Sequence, residues 1–408
     1  MRKRILLGLL AAALATLAAD SSHPLFAQID GITRTLSEIT GFQMRRQVPY
    51  AMINRDELRA FLERRIREEI KPEEIRIEEM LLKKFGLVPA DFDLKKTTIE
   101  LYTEQAAAFY DFKRRKLFIL ETSDSALQQA ALVHELAHAL ADQHFSLRRF
   151  LERAGTNDDG ALARMAVMEG QASYLMAEVM ARNLGQSLSS SPELVGLMSR
   201  MIGAAPGESP VFDQAPLYIR ESLLFPYAAG MRFQDAVNRH MGQEGFREVF
   251  RRPPESTQQV LHPERYLQGN WAVRLRPPQL RTRRAYRLLA EGTVGEFDYA
   301  VLLRQYIGEE AARRIAPRWR GGAYRFLEHK RDRRTALVQV CLWETAEAAA
   351  EFLEAYRKVL QAKWRRFEPT EESPERLAGR GDDGVFLLRR RGPYVYCFEG
   401  LATPEEAE

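Results

Sequence analysis

The chain has 408 residues, of which 45% are hydrophobic and 28% are charged, and its formal net charge is +4 at pH 7. This is the composition of a globular protein with enough apolar residues for two or three domains. The basic clusters are dispersed and lack interleaved aromatic residues, which argues against nucleic acid as a partner.

The N-terminal residues have the pattern of a secretory signal peptide. Arg2, Lys3 and Arg4 are followed by an apolar run over residues 5–17 and by small residues up to Ala19. The run is too short to cross a bilayer, and no other segment reaches about 18 apolar residues. We therefore expect residues 1–19 to be a signal peptide, and an exported protein with no stable membrane span after its removal.

The next part of the chain is predicted to be mostly helical. A lead-in segment, residues 20–53, precedes helices that cap and proline signals place at residues 54–70, 72–86 and about 94–105. Strand-like runs at 107–110 and 116–120 predict a β-hairpin. Asp124 is expected to cap one long helix, and Asp158 or Asp159 a second. Residues 253–266 are expected to be irregular.

The C-terminal part changes character, with strands predicted at residues 336–343, 385–389 and 394–398. The sequence thus predicts an α+β fold, mostly helical, with one domain at 54–275 that contains a small hairpin or sheet. A smaller α+β domain follows at 276–408. Cys341 and Cys397 lie in strand-like runs, and either a disulfide or two buried thiols fits the sequence.

Residues 134–138 read His-Glu-Leu-Ala-His. Two histidines four residues apart project from the same side of a helix, which suits one tetrahedral Zn²⁺. Glu135 can reach a water molecule at that metal and act as general base. His134 and His138 also lie on an apolar stripe of the helix, where buried imidazoles need a partner.

The third ligand has two candidates, His144 and Glu169. If the helix continues past His138, His144 points about 80° away from His134 and cannot share the metal. Glu169 lies in the middle of an apolar stripe on the next long helix, where a carboxylate is costly unless it is paired or binds a metal. A buried ion pair with an arginine would also explain Glu169. Gly170, its neighbour, allows close approach of another helix.

These residues resemble the zincin metallopeptidases of the gluzincin type, in which two histidines on one helix and a glutamate on the next hold zinc. The closest likeness is to a poorly characterised group of bacterial exported metallopeptidases. It rests on HELAHALADQHF, MEGQASYLM, FPYAAG and PPESTQQVLHPERY, which begin at residues 134, 168, 225 and 253. The resemblance implies a zincin-like catalytic domain. The acidic residue of the gluzincin pattern is replaced by Ser173, so Asp142, Asp159 or a backbone carbonyl would orient the ligand histidine.

The resemblance implies zinc-dependent hydrolysis of peptide bonds in a peptide or protein substrate, with His134, His138 and Glu169 on the metal. His262, Tyr227 and Tyr266 are candidates for stabilising the transition state. The hairpin strand at 107–110 can align an extended peptide by main-chain hydrogen bonds. The alternative function is a catalytically inactive binding or scaffold protein on the same fold, and a metal-free helical interaction protein is a third possibility.

Overall fold

The computed structural model describes residues 24–121, 125–203 and 209–407. The protein is 59% helical with 18% strand, the mostly helical α+β fold that the sequence predicts. The predicted signal peptide and the predicted cap Asp124 lie outside the described residues. No helix in the described ranges is long and apolar enough to cross a membrane.

The first helices agree closely with the sequence patterns. Asn54 caps its helix by accepting from the Glu57 N–H, while the Glu57 carboxylate accepts from the Asn54 N–H. This reciprocal pair satisfies two N–H groups that a helix start leaves unpaired. The elements are α1 (Ile29–Thr40), β1 (Tyr50–Ile53), α2 (Arg55–Glu69), α3 (Pro72–Phe85), α4 (Leu94–Gln105), β2 (Ala108–Asp111) and β3 (Lys116–Leu120).

The predicted hairpin is present as β2 and β3, and it is part of a three-stranded sheet in the order β1-β3-β2. Strand β1 pairs in parallel with β3 and comes from the segment predicted as a lead-in. Residues of this segment also pack against the elements that follow it, with Leu36 and Phe42 buried.

The middle of the chain is a set of packed helices around three long ones, α5 (Ser125–Phe145), α7 (Asp158–Asn183) and α10 (Leu217–Met241). Helix α7 packs against both α5 and α10. Its N-cap is Asn157, which accepts from the Gly160 N–H, and not Asp158 or Asp159 as predicted. The helices are α5 (Ser125–Phe145), α6 (Leu147–Glu152), α7 (Asp158–Asn183), α8 (Pro192–Gly203), α9 (Pro210–Gln214), α10 (Leu217–Met241) and α11 (Gly245–Arg251).

The C-terminal part is an antiparallel sheet of seven strands in the order β4-β5-β6-β10-β9-β8-β7. Strands were expected at β6, β9 and β10 and are present, whereas β4, β5, β7 and β8 were missed. The elements are β4 (Tyr286–Thr293), α14 (Glu296–Ile307), α15 (Glu309–Ile315), β5 (Trp319–His329), β6 (Thr335–Trp343), α16 (Ala346–Lys363), β7 (Phe367–Glu372), β8 (Arg376–Gly381), β9 (Gly384–Arg391) and β10 (Tyr394–Leu401). Cys341 and Cys397 are both buried free thiols.

The segment at 253–266 joins the two parts and is less irregular than predicted. It contains two short helices, α12 (Thr257–Leu261) and α13 (Pro263–Leu267). The Thr257 hydroxyl donates to Asp159 at the start of α7, and the Gln258 amide donates to Glu296 at the start of α14. Its polar residues therefore tie the helix that carries Glu169 to the C-terminal part. The largest apolar core also draws residues from both parts of the chain.

Candidate metal centre

Two of the predicted ligands lie on α5, which is unbroken from Ser125 to Phe145. His134 and His138 project from successive turns on the same side. Their rings meet edge to face with centroids 4.7 Å apart, and both side chains are buried. Two buried imidazoles in contact need partners for their ring nitrogens.

The third ligand candidate comes from α7. Glu169 Oε2 lies 3.2 Å from His134 Nε2 and 3.1 Å from His138 Nε2, and the two Nε2 atoms are 3.1 Å apart. The three donor atoms form a nearly equilateral triangle. The structure thus brings together the three residues that the sequence analysis chose.

Donors in this arrangement fit one divalent cation. Around a tetrahedral ion with bonds of about 2.0–2.1 Å, neighbouring donors are about 3.3–3.4 Å apart. Hydrogen bonds alone do not satisfy the three donor atoms. If both Nε2 atoms carried hydrogens and donated to Glu169, the two N–H groups would face each other across 3.1 Å. A cation that takes a lone pair from each donor satisfies all three. The cluster can therefore hold a metal ion.

The charge state of Glu169 suits a ligand. Burial by itself would raise the pKa of this carboxyl, but the two adjacent imidazoles, that of His138 most, outweigh burial and hold the pKa well below its usual range. Glu169 is therefore ionised, and an ionised carboxylate is the form that binds metals.

Glu135 lies next to this cluster and is also buried. Burial, helped by the charge of Glu169, raises the pKa of Glu135 to about 7, against the opposing effects of His134 and of the Tyr110 N–H. That N–H belongs to β2 and donates to the Glu135 carboxylate. The carboxylate is thus held between the metal-binding cluster and the edge of the small sheet.

Two tyrosines complete the surroundings of the cluster. The Tyr227 ring stacks on His134 with centroids 5.9 Å apart, and burial, helped by the nearby Glu169 charge, raises the pKa of its hydroxyl. Tyr102 lies in the same cleft, close enough for the Glu169 charge to help raise its pKa after burial. Tyr227 was expected at the site, whereas Tyr102 was missed. Nothing in the sequence around Tyr102 indicates this contact, because α4 reaches the cluster only through tertiary packing.

The cluster opens into a cleft of about 350 Å³ between β2, α5, α7, α8 and α10. Strand β2 forms one wall and is an edge strand of its sheet. The Leu120 N–H donates to the Ala107 carbonyl, and hydrogen bonds alternate along an antiparallel pair. The main-chain groups of Ala108 and Tyr110 therefore point away from β3, on the open side of the strand.

The structure places the other candidates elsewhere. His144 Nε2 is 2.9 Å from the Gln43 carbonyl, with its ring stacked on Phe42, as the helix periodicity predicts. His262, proposed as a catalytic residue, does not line the cleft. Its Nε2 is 2.8 Å from Glu296 Oε1 at the junction with the C-terminal part. Tyr266 is buried and donates to the Arg252 carbonyl. Sequence could not separate these roles, since both residues lie in a distinctive motif whose contacts are long-range.

The aspartates considered as orienting groups differ in position. Asp142 lies one turn after His138, near enough to influence it electrostatically, and accepts hydrogen bonds from the Leu147 N–H and the Tyr110 hydroxyl. Asp159 instead accepts from Thr257, in the joining segment. Of the two, only Asp142 is adjacent to the cluster.

The comparisons with known proteins assign no chemistry to the cluster. A family model described as a domain of unknown function (DUF8575) matches residues 284–408, which carry the seven-stranded sheet. None of the curated proteins and none of the solved structures matches the chain. The matched range contains none of the cluster residues.

Proposed function

We propose that this protein is a zinc metallopeptidase that hydrolyses peptide bonds with Glu135 as general base. The observation that carries the proposal is the convergence of His134, His138 and Glu169 beside Glu135, in a cleft walled by an open strand edge. Two imidazoles and a carboxylate are the donor set of many catalytic zinc sites, which leave one position open. A bound zinc ion would supply Lewis-acid activation of a water molecule and of the substrate carbonyl.

Proton transfer, substrate alignment and charge stabilisation are assigned to residues of the chain. Glu135 is placed to take a proton from the attacking water and to pass it to the leaving nitrogen. The main-chain groups of Ala108 and the carbonyl of Tyr110 can pair with an extended peptide, in the manner of an added strand. The Tyr227 hydroxyl, whose ring stacks on His134, is our candidate for stabilising charge that develops on the substrate oxygen.

The decisive experiment replaces Glu135 by glutamine. The variant keeps the shape of the side chain and the three metal donors, so we expect stoichiometric zinc and a 10²- to 10⁴-fold or greater loss of kcat on a fluorogenic peptide. Zinc content and turnover are measured on the same preparation. Equal turnover by Glu135→Gln and wild type would contradict the proposal. Zinc binding without turnover by either would favour the inactive binding protein.

Replacement of Tyr227 by phenylalanine tests the role of the hydroxyl. The ring that stacks on His134 remains, so zinc content and KM are expected to stay close to wild type. Loss of one donor to the transition state is expected to lower kcat about 10²- to 10³-fold. A raised KM with unchanged kcat would instead assign the hydroxyl to substrate binding.

Export of the protein is also proposed, from the pattern of residues 1–19. N-terminal sequencing of the protein recovered from an expressing bacterium tests it. A mature chain that begins shortly after Ala19 in an extracytoplasmic fraction is the expected result, and an intact N-terminus in the cytoplasm would contradict it.

A further inference from the structure

We infer that the cleft accepts internal, apolar segments of polypeptide chains, so that the protein is an endopeptidase with a preference for large uncharged side chains beside the cleaved bond. This inference rests on the peptidase function proposed above and names the substrate class of the same site.

The first argument concerns charge in the cleft. An enzyme that removes terminal residues must bind a terminal carboxylate with a cation or a terminal ammonium with an acid, because an unpaired charge is costly to desolvate. The described residues that line the cleft include no lysine or arginine. Their two carboxylates are Glu135, which accepts from the Tyr110 N–H, and Glu169, which contacts both histidines. The described lining therefore supplies no fixed charge for a free chain end.

The second argument concerns the walls. The first part of the apolar stripe on α5, Leu127, Ala130 and Ala131, lines one side of the cleft, where Leu127 is 47% exposed. Large apolar side chains from α7, α8 and α10 face the same space, namely Met176, Ile202, Leu223 and Leu224. Apolar side chains left in contact with water around a cleft mark a surface that binds apolar groups.

The third argument concerns the backbone. Small side chains at Ala106, Ala107 and Ala108 lie along the β2 wall. They leave room for a second main chain to approach the strand edge. Hydrogen bonds to that edge depend neither on side-chain identity nor on chain termini. An extended internal segment can use the Ala108 main-chain groups and the Tyr110 carbonyl, while its apolar side chains contact the opposite wall.

The first test uses ten-residue fluorogenic peptides and zinc-loaded full-length protein. One peptide has acetylated and amidated ends with Leu-Phe at its centre, and matched peptides have free ends. Two further peptides replace the central pair by Lys-Lys or Glu-Glu. We expect similar kcat/KM for blocked and free ends, and at least about a tenfold lower value for the charged pairs. Faster cleavage that requires a free end, or preference for a charged pair, would overturn the inference.

The second test changes the wall itself. Leu127→Lys is expected to lower kcat/KM on the Leu-Phe peptide several-fold and to raise it on the Glu-Glu peptide. Leu288→Lys is the matched control, because Leu288 is 49% exposed on β4 and does not line the cleft. Identical selectivity of both variants and wild type would show that the apolar wall does not select substrate.

The two proposals fail in different ways. One outcome is that peptides with a charged central pair or with free ends are cleaved preferentially and that Glu135→Gln abolishes this cleavage. That result would leave the peptidase function intact and overturn the substrate class. Zinc binding with no cleavage of any peptide would overturn the peptidase function, and the substrate class with it.

Discussion

At the scale of single residues, the third metal ligand is either the carboxylate oxygen of Glu169 or a ring nitrogen of His144. Both His144 and Glu169 can ligate zinc chemically, but only Glu169 Oε2 lies within 3.2 Å of both imidazole nitrogens. His144 is one of the last residues of the same helix and is held by the Gln43 carbonyl and by Phe42. Rigid helix geometry therefore excludes it.

Metal content of two alanine variants tests this choice. Glu169→Ala removes one of three donors, and we expect zinc affinity to fall by more than the 10- to 100-fold that loss of an orienting group causes. His144→Ala is expected to retain one zinc per chain. Both are measured by metal analysis after dialysis against a zinc buffer. Loss of zinc in His144→Ala with retention in Glu169→Ala would contradict the assignment.

The element that brings Tyr227 to the cluster is the crossing of α7 and α10. A Cβ atom on Gly170 would lie 2.1 Å from the backbone carbon of Gly230, and one on Gly230 would lie 2.1 Å from the Ala166 carbonyl oxygen. The two backbones thus touch beside Glu169. Close approach of another helix at Gly170 was predicted from the sequence, but which helix approaches was not predicted.

Gly230→Ala is expected to push α10 away from α7. Overpacking of this kind costs about 1–3 kcal/mol of the free energy of unfolding, and displacement of the helix should also weaken zinc binding. Thermal unfolding with and without zinc measures both effects. Gly196→Ala in α8 is the control, since the nearest atom to its new Cβ is the Arg200 guanidinium at 3.5 Å. There alanine should be neutral or stabilising, because its helix propensity exceeds that of glycine. Equal stability of the two variants would contradict the role of the crossing.

Whole-molecule stability depends on the polar junction between the two parts. A Cβ on Gly295 would lie 1.8 Å from Asp159 Oδ1, so the start of α14 and the start of α7 are in direct contact. His262 and Gln258 bind the two carboxylate oxygens of Glu296 in the same region. The distinctive 253–266 motif is thereby explained as a structural joint, and α7 connects that joint to Glu169.

The contact between His262 and Glu296 in this junction predicts that the free energy of unfolding depends on pH. The hydrogen bond to Glu296 raises the pKa of His262, with burial and Arg265 opposing and Glu264 assisting. Because the pKa of His262 is higher in the folded state, this histidine stabilises the fold most at pH values below its unfolded pKa of about 6.5. The stabilisation is lost as the pH rises through the pKa of the folded state. The difference in urea midpoint between wild type and His262→Gln is therefore expected to shrink from pH 5.5 to pH 8. A difference that is constant or grows with pH would contradict the assignment.

Much of the local structure could be predicted, and the misses have two causes. The cap at Asn54, the proline in the first turn of α3, the hairpin and the two long helices depend on contacts within a few residues, which a sequence pattern records directly. Strand β7 was missed because its side chains are mostly exposed, so it has little apolar pattern. His262 was misassigned because its partner Glu296 lies in another element.

The sequence by itself determined the His134–Glu135–His138 geometry, because a helix turn fixes the relation of residues four apart. It also indicated Glu169, because a carboxylate in an apolar stripe needs a compensating partner. Only the tertiary structure decided that Tyr227 and Tyr102 meet this cluster, that β2 presents its edge to it, and that the first part of the apolar stripe of α5 lines a cleft. Those relations depend on how distant helices pack, and packing between elements leaves no local pattern in the chain.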